Sequence, residues 1–216
     1  MAVNHHPFQS EDIAADYEAW YMTKGKKADR QEKALLESLL RVFSGARTIL
    51  EIGCGTGHFT DWFQMLGYRC VGLDRSREMI REGLKTHQIP CVEGDGSTLP
   101  FESNIFDVVA FITTLEFLNN PQQALTEALR VAQRGLLLGV INKHSLLGWR
   151  YRRKGGPIWG EATFYSPREL KQMVSNVTRC EHIIKMRTTL WPLFSSTSIF
   201  PWGGFIGLSI VLLEKE

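Results

Sequence analysis

The stretch that decides the fold is Ile49–Thr60, "ILEIGCGTGHFT". A short apolar run carrying one acid, Glu51, leads into glycines at alternate positions, Gly53, Gly55 and Gly57. Glycine takes positive φ without the clash a β-carbon brings, so the turn bends sharply and lets backbone approach a ligand. The apolar run predicts a buried strand and "HFTDWFQML" a helix, ending at Gly67. The turn therefore stands at the first strand-to-helix junction, beyond the carboxyl ends of the strands, where an open parallel sheet binds its ligand.

The spacing argues against one ligand class. A dinucleotide fingerprint is G-x-G-x-x-G, but the third residue after Gly55 is His58. The chain has E-x-G-x-G-x-G instead, with a carboxylate at the strand end that repels a pyrophosphate and attracts an ammonium or sulfonium. "YRCVGLD" is a second strand ending on Asp74, a carboxylate able to accept both vicinal ribose hydroxyls. "PCVEGD" is a third, ending on Asp95, suited to an exocyclic adenine amine. The ribose role of Asp74 is shared by both ligand classes, and it is the third element, Asp95, that favours adenosine without pyrophosphate.

Around this centre strands and helices alternate. Residues 29–43 place Leu35, Leu36, Leu39, Leu40 and Phe43 on one helical face. Ser76 caps a helix running to about Lys85. "IFDVVAFIT" and "GLLLGVI" are a fourth and a fifth strand, apolar enough to be covered on both faces. Asp107, inside the fourth, is read as satisfying backbone at a strand start. Between these strands Asn120, Pro121 and Gln123 open a helix to about Gln133. Residues 142–165 have no clean period and are rich in aromatics, glycine and basic groups, after which Ser166 and Glu169 restart a helix in capping-box spacing. "CEHIIKMRTTLW" and "GFIGLSIVLLEK" close the chain as an antiparallel hairpin at a sheet edge. The expected fold class is α/β: a Rossmann-like, doubly wound, seven-stranded, mostly parallel sheet with an antiparallel C-terminal strand and helices on both faces. It is expected as one domain over 1–216, with an N-terminal helical lid (1–45), a cofactor-binding core (46–141), an acceptor-side insertion (142–165) and a C-terminal helix and hairpin (166–216).

Composition narrows the partners. With 216 residues, 44% hydrophobic and 22% charged, the chain suits one globular core. A net charge of +2 is too small to argue for a nucleic-acid surface. Cys54, Cys70, Cys91 and Cys180 lack zinc or disulfide spacing, so reduced thiols and no metal are expected. No segment reads as a signal peptide, and the apolar run "FIGLSIVLL" is short for a membrane span, so the expected location is the cytoplasm.

"ILEIGCGTG", "VGLDRSREMI", "EGDGSTLPFESNIFDVV" and "TLEFLNNPQQALTEALRV", in this order and covering most of 48–141, resemble class I S-adenosylmethionine-dependent methyltransferases. The branch they resemble is the small-molecule one that includes ubiquinone- and menaquinone-biosynthesis enzymes. The likeness extends weakly to "AADYEAWY" and "FYSPREL". It implies S-adenosylmethionine as cofactor and S-adenosylhomocysteine as product. It further implies that Glu51 orients the glycine loop near the methionine amino group, and that Gly53, Cys54 and Gly55 line methionine and ribose. Asp74 would take the ribose hydroxyls, Arg75 and Met79 would flank the adenine, and Asp95 and Gly96 would address its edge. Thr113 and Thr114 would supply backbone near the methionine, while Tyr17, Tyr21 and Lys26 match a lid over it.

Methyl transfer from a sulfonium is an in-line displacement, so alignment and exclusion of water come first, and a base is needed only for a weakly acidic nucleophile. His144, after the fifth strand, is the best-placed candidate and Glu116, after the fourth, the second. Their bland readings are a strand-end backbone contact and a loop-orienting acid. The motif Asn or Asp followed by Pro-Pro-aromatic, a signature of amino methylation, is missing after the fourth strand. Trp149, Tyr151, Trp159, Phe164 and Tyr165 are expected to wall a pocket for a small, partly apolar acceptor. The basic run Arg150, Arg152, Arg153 and Lys154 is either a solvated loop or an attraction for an anionic acceptor or a membrane surface. Two other functions fit the sequence: a cofactor-binding regulatory or adaptor protein without turnover, and a nicotinamide-dependent oxidoreductase, which His58 disfavours.

Overall fold

A computed structural model describes residues 7–190 and 197–213. Its strands are β1 (Thr48–Ile52), β2 (Arg69–Asp74), β3 (Cys91–Glu93), β4 (Phe106–Ile112), β5 (Ala132–Ile141), β6 (His182–Thr189) and β7 (Phe205–Leu212). The helices are α1 (Glu11–Met22), α2 (Lys26–Leu40), α3 (His58–Met65), α4 (Arg77–Thr86), α5 (Pro121–Val131), α6 (Leu146–Lys154), α7 (Gly156–Trp159) and α8 (Pro167–Val177), with 3-10 turns at Pro7–Gln9 and Leu115–Phe117.

The seven strands form one sheet in the order β3-β2-β1-β4-β5-β7-β6. The first five pair in parallel, and β7 lies antiparallel between β5 and β6. This is the expected architecture. The order reverses between β1 and β4, so the turns after these strands flank a crevice.

Alternate residues of the central strands point to opposite faces, and both faces are covered. Ile49, Val108, Ala110 and Leu137 pack with Leu35, Leu36, Leu39 and Leu40 of α2 and Phe59 and Phe63 of α3. Leu50, Ile52, Val109, Phe111 and Leu136 pack on the other side with Ala124, Leu125 and Ala128 of α5 and Leu170 and Val174 of α8. Double burial is why these strands read as unbroken apolar runs. Asp107 interrupts β4 and joins it to the start of β1. Its Oδ2 accepts from Arg47 N (2.8 Å), Thr48 N (3.0 Å) and the Thr48 hydroxyl (3.0 Å), and its Oδ1 from Arg134 Nε (2.9 Å). Burial alone would raise its pKa, but these donors outweigh it and hold the carboxyl at about 2.

The structure moves several expected boundaries. Helix α2 begins at Lys26 and ends at Leu40, three residues earlier at each end. Helix α5 ends at Val131 and β5 starts at Ala132, where no glycine or proline marks a break. The 142–165 segment holds two helices: Ser145 caps α6 by accepting from Gly148 N (2.9 Å), and Gly155 separates α6 from α7, which starts at Gly156. Trp191, Glu214 and Lys215, at the ends of the expected hairpin strands, lie outside the described residues.

Candidate functional site

The glycine turn is held in the left-handed region, with φ of 70° at Gly53, 57° at Gly55 and 84° at Gly57. At Gly53 space also demands glycine, since a β-carbon there would lie 2.1 Å from Thr114 Cγ2. Gly53 N and Cys54 N both donate to Leu73 O, at 2.7 and 3.1 Å, which ties the turn to the end of β2. The Asp74 carboxylate bridges two turns, accepting from Gly55 N through Oδ2 and from Ser76 N through Oδ1, each at 2.8 Å. Ser76 in turn caps α4, accepting from Met79 N at 3.1 Å. Helix α4 lies close against the glycine turn, for a β-carbon at Gly83 would meet Thr56 O at 2.1 Å.

These turns wall a cleft at the carboxyl ends of β1 to β4. Gly53 and Gly55 come from the first turn, Asp74, Arg75 and Met79 from the second, Asp95 and Gly96 from the third, and Thr113 and Thr114 from the fourth. Thr113 has φ of 52°, a conformation that costs a non-glycine residue about 1–2 kcal/mol, and its N–H is fixed to Gly139 O at 2.7 Å. Tyr17 of α1 and Phe8 close the cleft, Phe8 packing edge-on against Phe117 with centroids 4.9 Å apart. The remaining residues assigned to the cofactor lie behind or beside this wall. Glu51 is buried beneath the turn, where it accepts a short hydrogen bond from the Thr60 hydroxyl. Burial pushes its pKa up to about 8 against that bond. Cys54 is buried with its Sγ 3.6 Å from Cys91 Sγ, and Gly57 opens α3. The Tyr21 hydroxyl is 3.1 Å from that of Tyr17, and burial raises both phenols. Lys26 is exposed on the first turn of α2 and takes no part in the wall.

Helix α1 is clasped to the core by polar groups that the sequence did not single out. Glu18 Oε2 accepts from the Thr56 hydroxyl (2.6 Å), and Oε1 lies 2.9 Å from His87 Nε2, whose Nδ1 is 3.2 Å from Asp61 Oδ2. Beside them His58 Nε2 is 2.7 Å from Asp29 Oδ1 and 2.8 Å from Lys33 Nζ, and the His58 ring stacks under Tyr21 at 3.8 Å. Glu18, one position past Tyr17 and otherwise a surface-type acid, gave no periodic signal of burial.

A second cavity of about 420 Å³ opens among α1, α2 and α6, with Trp20, Gln31, Glu32, Leu147, Arg150 and Tyr151 in its wall. Glu32 is buried, and its carboxyl forms no hydrogen bond among the described residues. Burial, then Asp29 and Glu116, push its pKa up to about 8. An aromatic ladder runs from this cavity toward the first: Tyr151 stacks on Trp159 at 4.1 Å, and Trp159 lies 6.0 Å from Phe164 and 5.9 Å from Phe117. Trp159 and Phe164 thus lie behind the wall rather than in it. Trp149, two residues before Tyr151, faces outward with Arg153 over its ring at 5.3 Å. Tyr165 is buried, donates to Leu115 O at 3.3 Å, and is raised to about 12 by burial and by Glu116.

The two candidate bases fare differently. His144 is exposed and lines neither cavity, and its backbone N–H donates to Asn142 Oδ1 at 3.1 Å. Glu116 is buried, with Oε1 accepting from Ile141 N at 2.7 Å and Oε2 without a hydrogen-bond partner among the described residues. Burial pushes its pKa up to about 8.

The arrangement has relatives. Residues 50–138 match the methyltransferase domain family. An uncharacterized protein of Methanocaldococcus jannaschii is 33% identical over 171 residues, covering 76% of this chain and 77% of the relative. A demethylmenaquinone methyltransferase of Renibacterium salmoninarum is 30% identical over 126 residues, 58% of this chain, and the match spans about half of that enzyme, 53%. Among solved structures, a SAM-dependent methyltransferase of Thermotoga maritima superposes with a TM-score of 0.81 over 96% of this chain and 99% of its own, at 24% identity. With its sheet order and glycine turn, the chain belongs to the class I S-adenosylmethionine-dependent methyltransferase family.

Proposed function

We propose that this chain transfers a methyl group from S-adenosylmethionine to a small-molecule acceptor. The observation that carries this is the cleft wall, where backbone of Gly53 and Gly55 and the carboxylates of Asp74 and Asp95 meet at the ends of adjacent parallel strands. The residues fit the cofactor: a β-carbon at Gly53 or Gly55 would run into Thr114 or into Met79 Cε, so the cradle is one only glycine leaves open. Asp74 would hold the ribose hydroxyls, Met79 and Arg75 the adenine faces, Asp95 and Gly96 its edge, and Thr113 and Thr114 the methionine end. Glu51, set behind the turn, would act by fixing the loop. When bound, the cofactor supplies an electrophilic methyl on a sulfonium.

The chain's own groups then align and shield. Tyr17 and Phe8 cover the cleft and limit water, and α1 with α2 would serve as the lid of a single domain. The second cavity would admit the acceptor, with the ladder from Tyr151 to Phe117 as an apolar track toward the cofactor. Glu32, protonated when the cavity is empty, would donate a hydrogen bond to the acceptor's polar group or accept one through its carbonyl oxygen, with the buried Glu116 carboxyl as a second neutral acid. We place this activity in the cytoplasm, in keeping with the finding that no helix among the described residues is long and apolar enough to cross a membrane.

Calorimetric titration with S-adenosylhomocysteine tests the cofactor site. Asp74→Ala is expected to weaken binding about 10- to 100-fold, the value of a lost charged hydrogen-bond acceptor. No binding to the folded wild-type protein would sink the proposal. Transfer of labelled methyl to a member of an acceptor panel separates an enzyme from a non-catalytic adaptor.

A further inference from the structure

The clasp that fastens α1 to the core also has the donor set of a metal centre. We propose that Glu18, His58 and His87 bind one divalent ion of the zinc type, which locks α1 against the glycine turn. Each of the three offers a ligand atom, and these atoms lie within 4.8 Å of one another although they come from α1, the start of α3 and the residue after α4. Two imidazoles and a carboxylate are a ligand set that borderline cations favour.

Two further observations support an ion here. Ligating histidines commonly carry an outer carboxylate that fixes the ring. Both do: Asp61 Oδ2 lies 3.2 Å from His87 Nδ1, and Asp29 Oδ1 lies 2.7 Å from His58 Nε2. Charge is the other. Glu18, Asp29 and Asp61, with side chains 9%, 18% and 25% exposed, gather here, and Lys33 pairs with Asp29 at 3.0 Å. Carboxylates gathered in a half-dry site favour a cation beside them, and a dication held by Glu18, His58 and His87 would be one. Ligand atoms around zinc stand about 3.4 Å apart when its bonds are about 2.1 Å. With the three ligand atoms within 4.8 Å of one another, the cluster has to draw in by at most about 1.4 Å at its widest pair.

The consequence reaches the cleft through two contacts. Thr56, in the glycine turn, donates to Glu18, and Tyr21, stacked on His58, meets the Tyr17 hydroxyl at the cleft wall. An ion would hold the lid without touching the cofactor. The wide sequence separation of 18, 58 and 87 is why no ligand spacing is visible in the chain.

The test uses the full chain in a His5→Ala/His6→Ala background, which removes the paired histidines near the N terminus as competing ligands. After treatment with EDTA and dialysis, ZnCl₂ is titrated in and bound metal is counted by plasma mass spectrometry, with CoCl₂ as a spectroscopic probe. One ion per chain is expected, with cobalt bands of low coordination number. His58→Ala/His87→Ala should lose at least about 100-fold in affinity and Asp61→Asn about 10-fold. Circular dichroism and S-adenosylhomocysteine binding confirm that the variants are folded; should the double variant unfold, Glu18→Gln provides the same comparison. Less than 0.2 ion per chain, or equal affinity in the ligand variants, overturns the proposal. Because the readout is metal bound rather than methyl transferred, either result leaves the proposed activity untouched.

Discussion

Glu32→Gln isolates the electrostatics of the second cavity. The glutamate is buried, hydrogen-bonds to none of the described residues and titrates near 8 in the folded chain, against 4.5 ordinarily. Below 4.5 it is protonated in both folded and unfolded states and adds no pH dependence. Between 4.5 and 8 the unfolded chain releases the proton while the folded chain keeps it, so stability falls as pH rises. At 1.36 kcal/mol per pH unit the full loss is about 4.8 kcal/mol, and water entering the cavity reduces it to about 2–4 kcal/mol. Glutamine has nearly the shape of the protonated acid and does not titrate. Urea unfolding of both proteins from pH 5 to pH 9 should therefore show equal stability at the acidic end and a growing advantage for Glu32→Gln, reaching about 2 kcal/mol or more by pH 9. A difference that stays constant across this range would refute the reasoning, because it would mean the carboxyl ionises as readily in the cavity as in water.

Asp107 should show the opposite slope. Its folded pKa of about 2, against 3.8 ordinarily, gives about 2.4 kcal/mol of stability above pH 4 that disappears as pH falls toward 2. Asp107→Asn should thus be destabilised by about 2 kcal/mol at pH 7 in urea unfolding, with the gap closing in acid. Gly83→Ala should force α4 away from Thr56 O and destabilise by about 1–3 kcal/mol. The same substitution should weaken S-adenosylhomocysteine binding in calorimetry, since α4 carries Met79.

Residues whose position follows from local chemistry were legible in the chain. The cleft is assembled from strand ends, so a residue that ends an apolar run, such as Asp74 or Asp95, announces its place. Asn120 and Pro121 announced α5 in the same way, and Ser166 with Glu169 announced α8. Features that depend on tertiary packing were hidden. Glu32 sits in "DRQEKALLESLL", where a helical acid reads as solvent-facing, and only the second cavity makes it an interior group. Helix α6 carries Arg152, Arg153 and Lys154 and buries Gly148 alone, so it shows no apolar stripe. That hid its phase, which turns Trp149 outward and Tyr151 inward. The α5–β5 junction was misplaced because a helix runs directly into a strand, with Ala132 already extended at φ −82° and ψ 138° and paired with Phe106.

The placing of β7 between β5 and β6 has a consequence for the order of folding. β6 precedes β7 in the chain yet contacts the sheet only through it, so β6 cannot dock until residues 205–212 have been made and inserted. Until then β5, apolar over seven consecutive residues from Gly135 to Ile141, presents an open edge, the kind that pairs with other chains. Sheet completion thus depends on long-range pairing, the kind that slows folding. A nascent or truncated chain that stops before Phe205 should be the aggregation-prone species.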